Sequence, residues 1–148
     1  LFGHSLLYLL LAALAGLSMA VQGSLNSVLG KKLGIIEASF IVHLIAAAIL
    51  FIFLLFNLGK GNSASFFKGP WYLYLGGLLA VIISYTVIIS IPELGVAVAT
   101  TAIISAQVLT AAVIDHFGWL GLEKIQFTWL KVLGIIFLAA GVRLLLSK

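Results

Sequence analysis

Apolar side chains fill the chain in five runs, roughly Ser5 to Leu29, Ile35 to Phe56, Trp71 to Ile91, Leu94 to Ile114 and Thr128 to Leu146. Each run is about the ~20 residues that an α-helix needs to cross ~30 Å of hydrocarbon. Short segments rich in Gly, Pro, Asn, Ser and charge separate them. The pattern predicts an all-α membrane protein with five transmembrane helices in a single domain over residues 1–148. The first run has no Lys or Arg before it and exceeds the length of a signal-peptide core, so it reads as a retained span.

Composition strengthens this picture. Hydrophobic residues make up 64% of the chain and charged residues 8%, against roughly 25% charged in soluble domains, and mean hydropathy is +1.31. Cysteine is absent, which excludes disulfides and thiolate chemistry. The net charge of +4 comes from short loops and reads as a topology signal, not as a nucleic-acid footprint.

If the N-terminal side of the membrane is called side A, alternate crossings put Lys60, Lys68, Lys124 and Lys131 on side A. Lys31, Lys32, Arg143 and Lys148 then fall on side B. Orientation follows the difference in Lys and Arg between short loops. Here the sides balance, so the chain carries no strong instruction for one orientation. Two oppositely inserted copies could then pair about a two-fold axis in the membrane plane, giving a ten-helix antiparallel homodimer built like an inverted-repeat transporter. Burial of one cation, such as Arg143, would instead leave a single orientation. Trp71, Tyr72, Tyr74, Trp119 and Trp129 all fall on side A as an interfacial belt, which suits either arrangement.

The connections differ in length. The longest polar stretch, NLGKGNSASFFKGP, is a loop without assigned chemistry, whereas only PELG separates the third and fourth spans. That brevity predicts a tight antiparallel turn, with Pro92 ending the third helix. The segments LGIIEAS from Leu33 and LGVAVAT from Leu94 both open a helix from side B, an echo that a biased alphabet can produce by chance.

Polar residues inside the spans are the candidates for chemistry. Ser18, Gln22, Asn26 and Gly30 recur every four residues along the first span, beside a small-residue stripe of Ala12, Gly16, Ala20 and Ser24. Such amides either hold helices together, at about 0.6–2 kcal/mol each, or contact a substrate in a low-dielectric cavity. Thr100, Gln107 and Thr110 share a face of the fourth span, with Gln107 near the depth at which transporter sites lie. Gln22, Asn26, Thr100 and Gln107 form the candidate substrate site.

Asp115 in the last turn of the fourth helix opposes the helix dipole, whereas His116 suits it. Asp115 needs a partner, either a structural one such as a Lys or a loop amide, or a cation or proton. Asp115, His116 and His43 are therefore candidates for gating or coupling, with ordinary packing as the alternative for His43. Glu37 and Glu93 complement helix N-termini. Gly134 and Gly141 mark a packing surface of the fifth span, within the chain or between protomers. The three His lack metal-ligand spacing. No nucleophile with a base, and no phosphate-cradling loop, is present in the sequence. No cofactor is expected.

The motifs Q-x-x-x-N-x-x-L-G from Gln22 to Gly30, P-x-L-G from Pro92, Gln107, and I-D-H-F-G from Ile114 together resemble the YdcZ family of small bacterial membrane proteins. That family belongs to the drug/metabolite transporter superfamily, and the resemblance covers essentially the whole chain. It implies a half-transporter of five spans in the inner membrane, acting as an antiparallel homodimer or with a paralogous subunit. Similar small multidrug exporters carry a membrane-embedded Glu in the first span. Gln22 and Asn26 stand there instead, which argues against cation-for-proton exchange by that route.

The expected function is transport of a small polar or zwitterionic organic molecule across the inner membrane. The alternative is a non-transporting scaffold or accessory subunit of a hetero-oligomer, whose polar stripes only join helices. Tagging each terminus in turn should find both termini on both sides of the membrane. A single orientation throughout the population would remove the antiparallel homodimer.

Overall fold

The computed structural model describes residues 2–59, 61, 68–126 and 128–146, with side chains from residue 6 to 145 within that range. Lys60 and Lys148, two of the cations in the charge balance, lie outside the described residues. Among the described residues there are five α-helices and no strands: α1 (Phe2–Leu33), α2 (Ile35–Leu55), α3 (Gly76–Leu94), α4 (Val96–Phe117) and α5 (Trp129–Leu146). A 3-10 turn at Trp71–Leu75 leads into α3, and another at Trp119–Gly121 follows α4. The helices α1 to α4 are each long and apolar enough to cross a membrane. The fifth has 18 residues, about 27 Å at the helical rise.

Helix contacts divide the chain into two units, Leu1–Glu93 and Leu94–Lys148. Within the first, α1 packs on α2, and within the second α4 packs on α5. Exposed Leu, Ile, Val and Phe line the spans, while among the described residues the buried apolar ones are Ala38, Ile88, Ile91 and Ala99. Such a surface is unstable in water and suits lipid, where outward apolar side chains need no cover and every backbone N–H is bonded within its helix.

The helices reverse with almost no loop. Between α1 and α2 only Gly34 leaves the helical conformation, at φ 104° and ψ 152°. Its N–H donates to the Gly30 carbonyl at 3.0 Å, and its own carbonyl accepts from the Ala38 N–H at 3.0 Å. The last turn of one helix and the first of the next therefore share a residue. The predicted loop Gly30 to Gly34 contracts to this one position, because Lys31 and Lys32 extend α1 by a turn in which their charges complement its C-terminal dipole. Glu37 in the first turn of α2 lays its carboxylate against the Gly34 Cα, where a Cβ would stand.

The same link recurs between α3 and α4. Gly95 has φ 81° and ψ 157°, and the Ala99 N–H donates to its carbonyl at 3.1 Å. Pro92 does not end α3 as predicted but lies inside its last turn. Its ring removes one backbone donor there, and the buried Ile91 before it holds the helical conformation despite the usual bias of a pre-proline residue.

The echo between the two Leu-Gly pairs is thus a repeat of backbone geometry. It extends beyond the glycines: at a shift of 61 residues, Gly23, Ser27, Gly30 and Ala38 coincide with Ser84, Ile88, Ile91 and Ala99, and all eight are buried. Asn57 after α2 and Gly118 after α4 coincide as well, each at positive φ.

Both glycine links fall in a region of positive φ with ψ near 150–160° that is essentially closed to other residues, at about 1–3 kcal/mol. Gly34→Ala and Gly95→Ala should each lower stability by that amount, with Gly34→Ala the worse because its Cβ also meets Glu37. Gly16→Ala, within α1 and beside open space, should instead gain roughly 0.5–1 kcal/mol. Thermal unfolding of the three variants in detergent checks this order.

Candidate functional site

In the first unit the face of α1 turned inward carries Gly23, Asn26, Ser27 and Gly30. Spacings of three and four residues put these on one stripe. A Cβ at Gly23 would meet Val87 Cγ1 at 3.0 Å and Ile91 Cδ1 at 3.1 Å, and a Cβ at Gly30 would meet Ile88 Cγ2. The two glycines therefore admit α3 to the surface of α1. Between them the side chains of Asn26 and Ser27 are buried, at 8% and 3% exposure. On α3, Ser84 lies one turn before Ile88 and is buried at 8% exposure. Ser39, in the first turns of α2, is the fourth buried polar residue.

Six hydroxyls in the spans bond back to their own helix. Ser18, Ser24, Thr86, Ser90, Thr101 and Ser105 each donate to the carbonyl four residues earlier, at 2.7–2.9 Å. Ser84 departs from this habit: its Oγ is buried and has no hydrogen-bond partner among the described residues. Leaving a buried polar group unpaired costs about 1–3 kcal/mol.

The sequence-predicted candidates distribute as follows. Gln22 is exposed on α1 while Asn26 is buried. A four-residue step overshoots the helical turn by about 40°, so a stripe read from Ser18 to Gly30 rotates by roughly 120° and cannot stay on one face. Gln22 falls toward the outer edge and Gly23 takes the inner place. In the second unit Thr100 is half-buried on α4, and Gln107 and Thr110 are exposed. Gln22 and Asn26 thus belong to one unit, and Thr100 and Gln107 to the other.

His43 is half-buried and donates through Nδ1 to the Ser39 carbonyl at 2.7 Å, which fixes its ring against its own helix. Asp115 is half-buried and His116 exposed near the end of α4. Gly118 caps that helix in the left-handed conformation, its N–H donating to the Ile114 carbonyl. The following segment turns back so that the Ile125 N–H reaches the Asp115 carbonyl at 2.8 Å and Lys124 packs against Gly118. A loop amide therefore meets the backbone oxygen of Asp115, and a lysine sits by the negative end of the helix dipole. The rings of His116, Phe117 and Trp119 continue outward, Phe117 and Trp119 stacked at 5.2 Å. Gly134 and Gly141 face open space, with nothing within 4 Å of a Cβ. Among the described residues no group of three His, Asp or Glu gathers that could hold a metal.

Sequence reasoning passed over Gly23, Ser27 and Ser84. The signal for the first two was present as a small-xxx-small pair, Gly23 to Ser27, whose register competes with that of Gln22 and Asn26. Ser84 had none: a single serine in an apolar helix is ordinarily self-bonded.

Gly30→Ala should force Ile88 aside and destabilise the α1–α3 contact by about 1–3 kcal/mol. Ile88→Ala in the same chain should return part of that loss. A double-mutant cycle on thermal unfolding measures the coupling.

A family model described as "Putative inner membrane exporter, YdcZ" matches residues 7–144. No curated protein and no solved structure matches the chain.

Proposed function

Because the chain belongs to the YdcZ family, and is accordingly a multi-pass inner-membrane protein of transporter type, we propose that it is half of a secondary transporter or facilitator for a small polar or zwitterionic organic molecule. Two copies inserted in opposite senses form the working unit, with α5 as the fifth span and Gly134 and Gly141 at the contact between copies. A paralogous subunit in place of the second copy preserves the same chemistry.

The observation that carries this proposal is the inward turn of the polar face of α1. Leucines and valines of the same helix point outward, while an amide and a hydroxyl are withdrawn from lipid. Polar groups at membrane depth that face protein mark substrate pathways in transporters. Asn26 would contact the substrate, joined by Gln22 at the rim and by Thr100 and Gln107. Asp115 and His116, at the side A end of α4, would gate or couple, and His43 would act from α2. Alternating access would follow from movement of one half of the assembly against the other.

Proteoliposomes loaded with labelled polar and zwitterionic metabolites test the proposal. The native protein should release at least one compound faster than empty vesicles. Asn26→Ala with Gln107→Ala should cut that flux about tenfold or more, the worth of one or two charge-free hydrogen bonds. Flux unchanged in a well-folded double variant would remove these residues from the pathway.

A further inference from the structure

We propose that the contact of α3 on α1 is a closed binding site for the uncharged hydrogen-bonding part of the transported molecule, with Ser84 and Ser27 as ligand contacts beside Asn26. The proposal rests on the transport function above and deepens it by naming residues and ligand chemistry.

Three observations meet at this place. The first is geometric: Gly23 and Gly30 receive Val87, Ile91 and Ile88 of α3, so the two helices touch through glycine and the methyl groups of β-branched side chains. Such a contact can part without breaking hydrogen bonds. The second is the burial of polar groups between and beside these contacts, with Asn26, Ser27 and Ser84 all more than nine-tenths covered. The third is a missing partner. The Ser84 hydroxyl has none among the described residues, although the Thr86 and Ser90 hydroxyls on the same helix bond back to its carbonyls. The closed contact therefore holds an unsatisfied hydroxyl that gains a bond when a ligand enters.

The residues specify the class of ligand. Asn26 offers two donors and a carbonyl oxygen, and each serine offers one donor and acceptor sites. The side chains that meet α1 at its two glycines, Val87, Ile88 and Ile91, are aliphatic. That set matches a hydroxyl or carboxamide group, which both gives and accepts hydrogen bonds, and not an organic cation, which would want a carboxylate or an aromatic face. A bare sodium ion is matched less well. Transporter sodium sites draw on several unwound backbone carbonyls, whereas α1 and α3 are helical through the contact and Pro92 leaves only the Ile88 carbonyl without its helical donor.

The natural absence of cysteine makes the test direct. Ser84→Cys in proteoliposomes is labelled with neutral methyl methanethiosulfonate or with its trimethylammonium-ethyl analogue, and Gly61→Cys, in the exposed loop, serves as the open control. The cysteine at 84 should react with the neutral reagent about tenfold faster than with the cationic one, and a pooled mixture of neutral polyols and primary carboxamides should slow that reaction about tenfold. The control should show neither effect. No labelling at 84 in folded protein, absence of protection by the pool, or protection by tetraethylammonium or sodium would each overturn the proposal. Ser84→Ala separates it from the transport function. If a pool member crosses the membrane and Ser84→Ala leaves its flux unchanged, transport stands and the site falls. If the pool protects and no member crosses, the site stands and transport falls.

Discussion

Lipid offers no partner to a peptide N–H or carbonyl, and this constraint governs how the chain is able to turn. A conventional loop on side B would expose several backbone groups at the edge of the bilayer. At Gly34 the chain avoids this by letting one residue close the ladder of one helix and open the next, and at Gly95 a single residue likewise separates two helices and opens the second. The conformation that achieves it lies at positive φ with an extended ψ, which a side chain would obstruct. The rest follows from having so little loop. Lys31 and Lys32 must ride on the end of α1, Pro92 must be accommodated inside α3, and buried side chains cluster within four turns of the two glycines.

The same constraint orders the polar side chains. Six hydroxyls in the spans bond to the carbonyl four residues back. This neutralises the group and leaves the helix as apolar as before. A hydroxyl that keeps its bonding capacity unspent is costly in lipid, and Ser84 is buried in the first unit. Burial and lack of a partner are ordinarily in conflict. At Ser84 the two coincide.

Much of the architecture was legible in the sequence because lipid makes length and apolarity nearly sufficient: the α1 to α4 spans appear where the apolar runs lie, and Gly118 caps α4 as its place after IDHF suggests. The ends were less legible. Whether lysines extend a helix or open a loop depends on the dipole at its end, and whether proline stops a helix depends on what holds the residue before it. The site was half legible. Asn26 stands out by its amide, but the face it occupies is defined by Gly23 and Gly30, and glycine in an apolar run carries no label of its own. Ser84 could not be singled out at all, since its meaning lies in a hydrogen bond that it does not make.

The shift of 61 residues relates two segments alike in backbone and unlike in chemistry. Gln22 and Asn26 of α1 correspond to Ile83 and Val87 of α3, and Gln107 and Asp115 of α4 correspond to Ala46 and Leu54 of α2. Polar residues therefore fall on the first helix of one segment and the second helix of the other. With alternate crossings both segments would start from side A, and this internal likeness would then not supply the inverted symmetry of many transporters. Inversion would have to come from a second copy, and the even division of Lys and Arg between the two sides permits it. A pair of such chains would then combine two kinds of likeness, a parallel one within each copy that sets the helix turns and an inverted one between copies that makes the two membrane faces equivalent. Only the second can make inward- and outward-facing states alike in energy, because the first leaves both glycine links of a copy on the same side of the membrane.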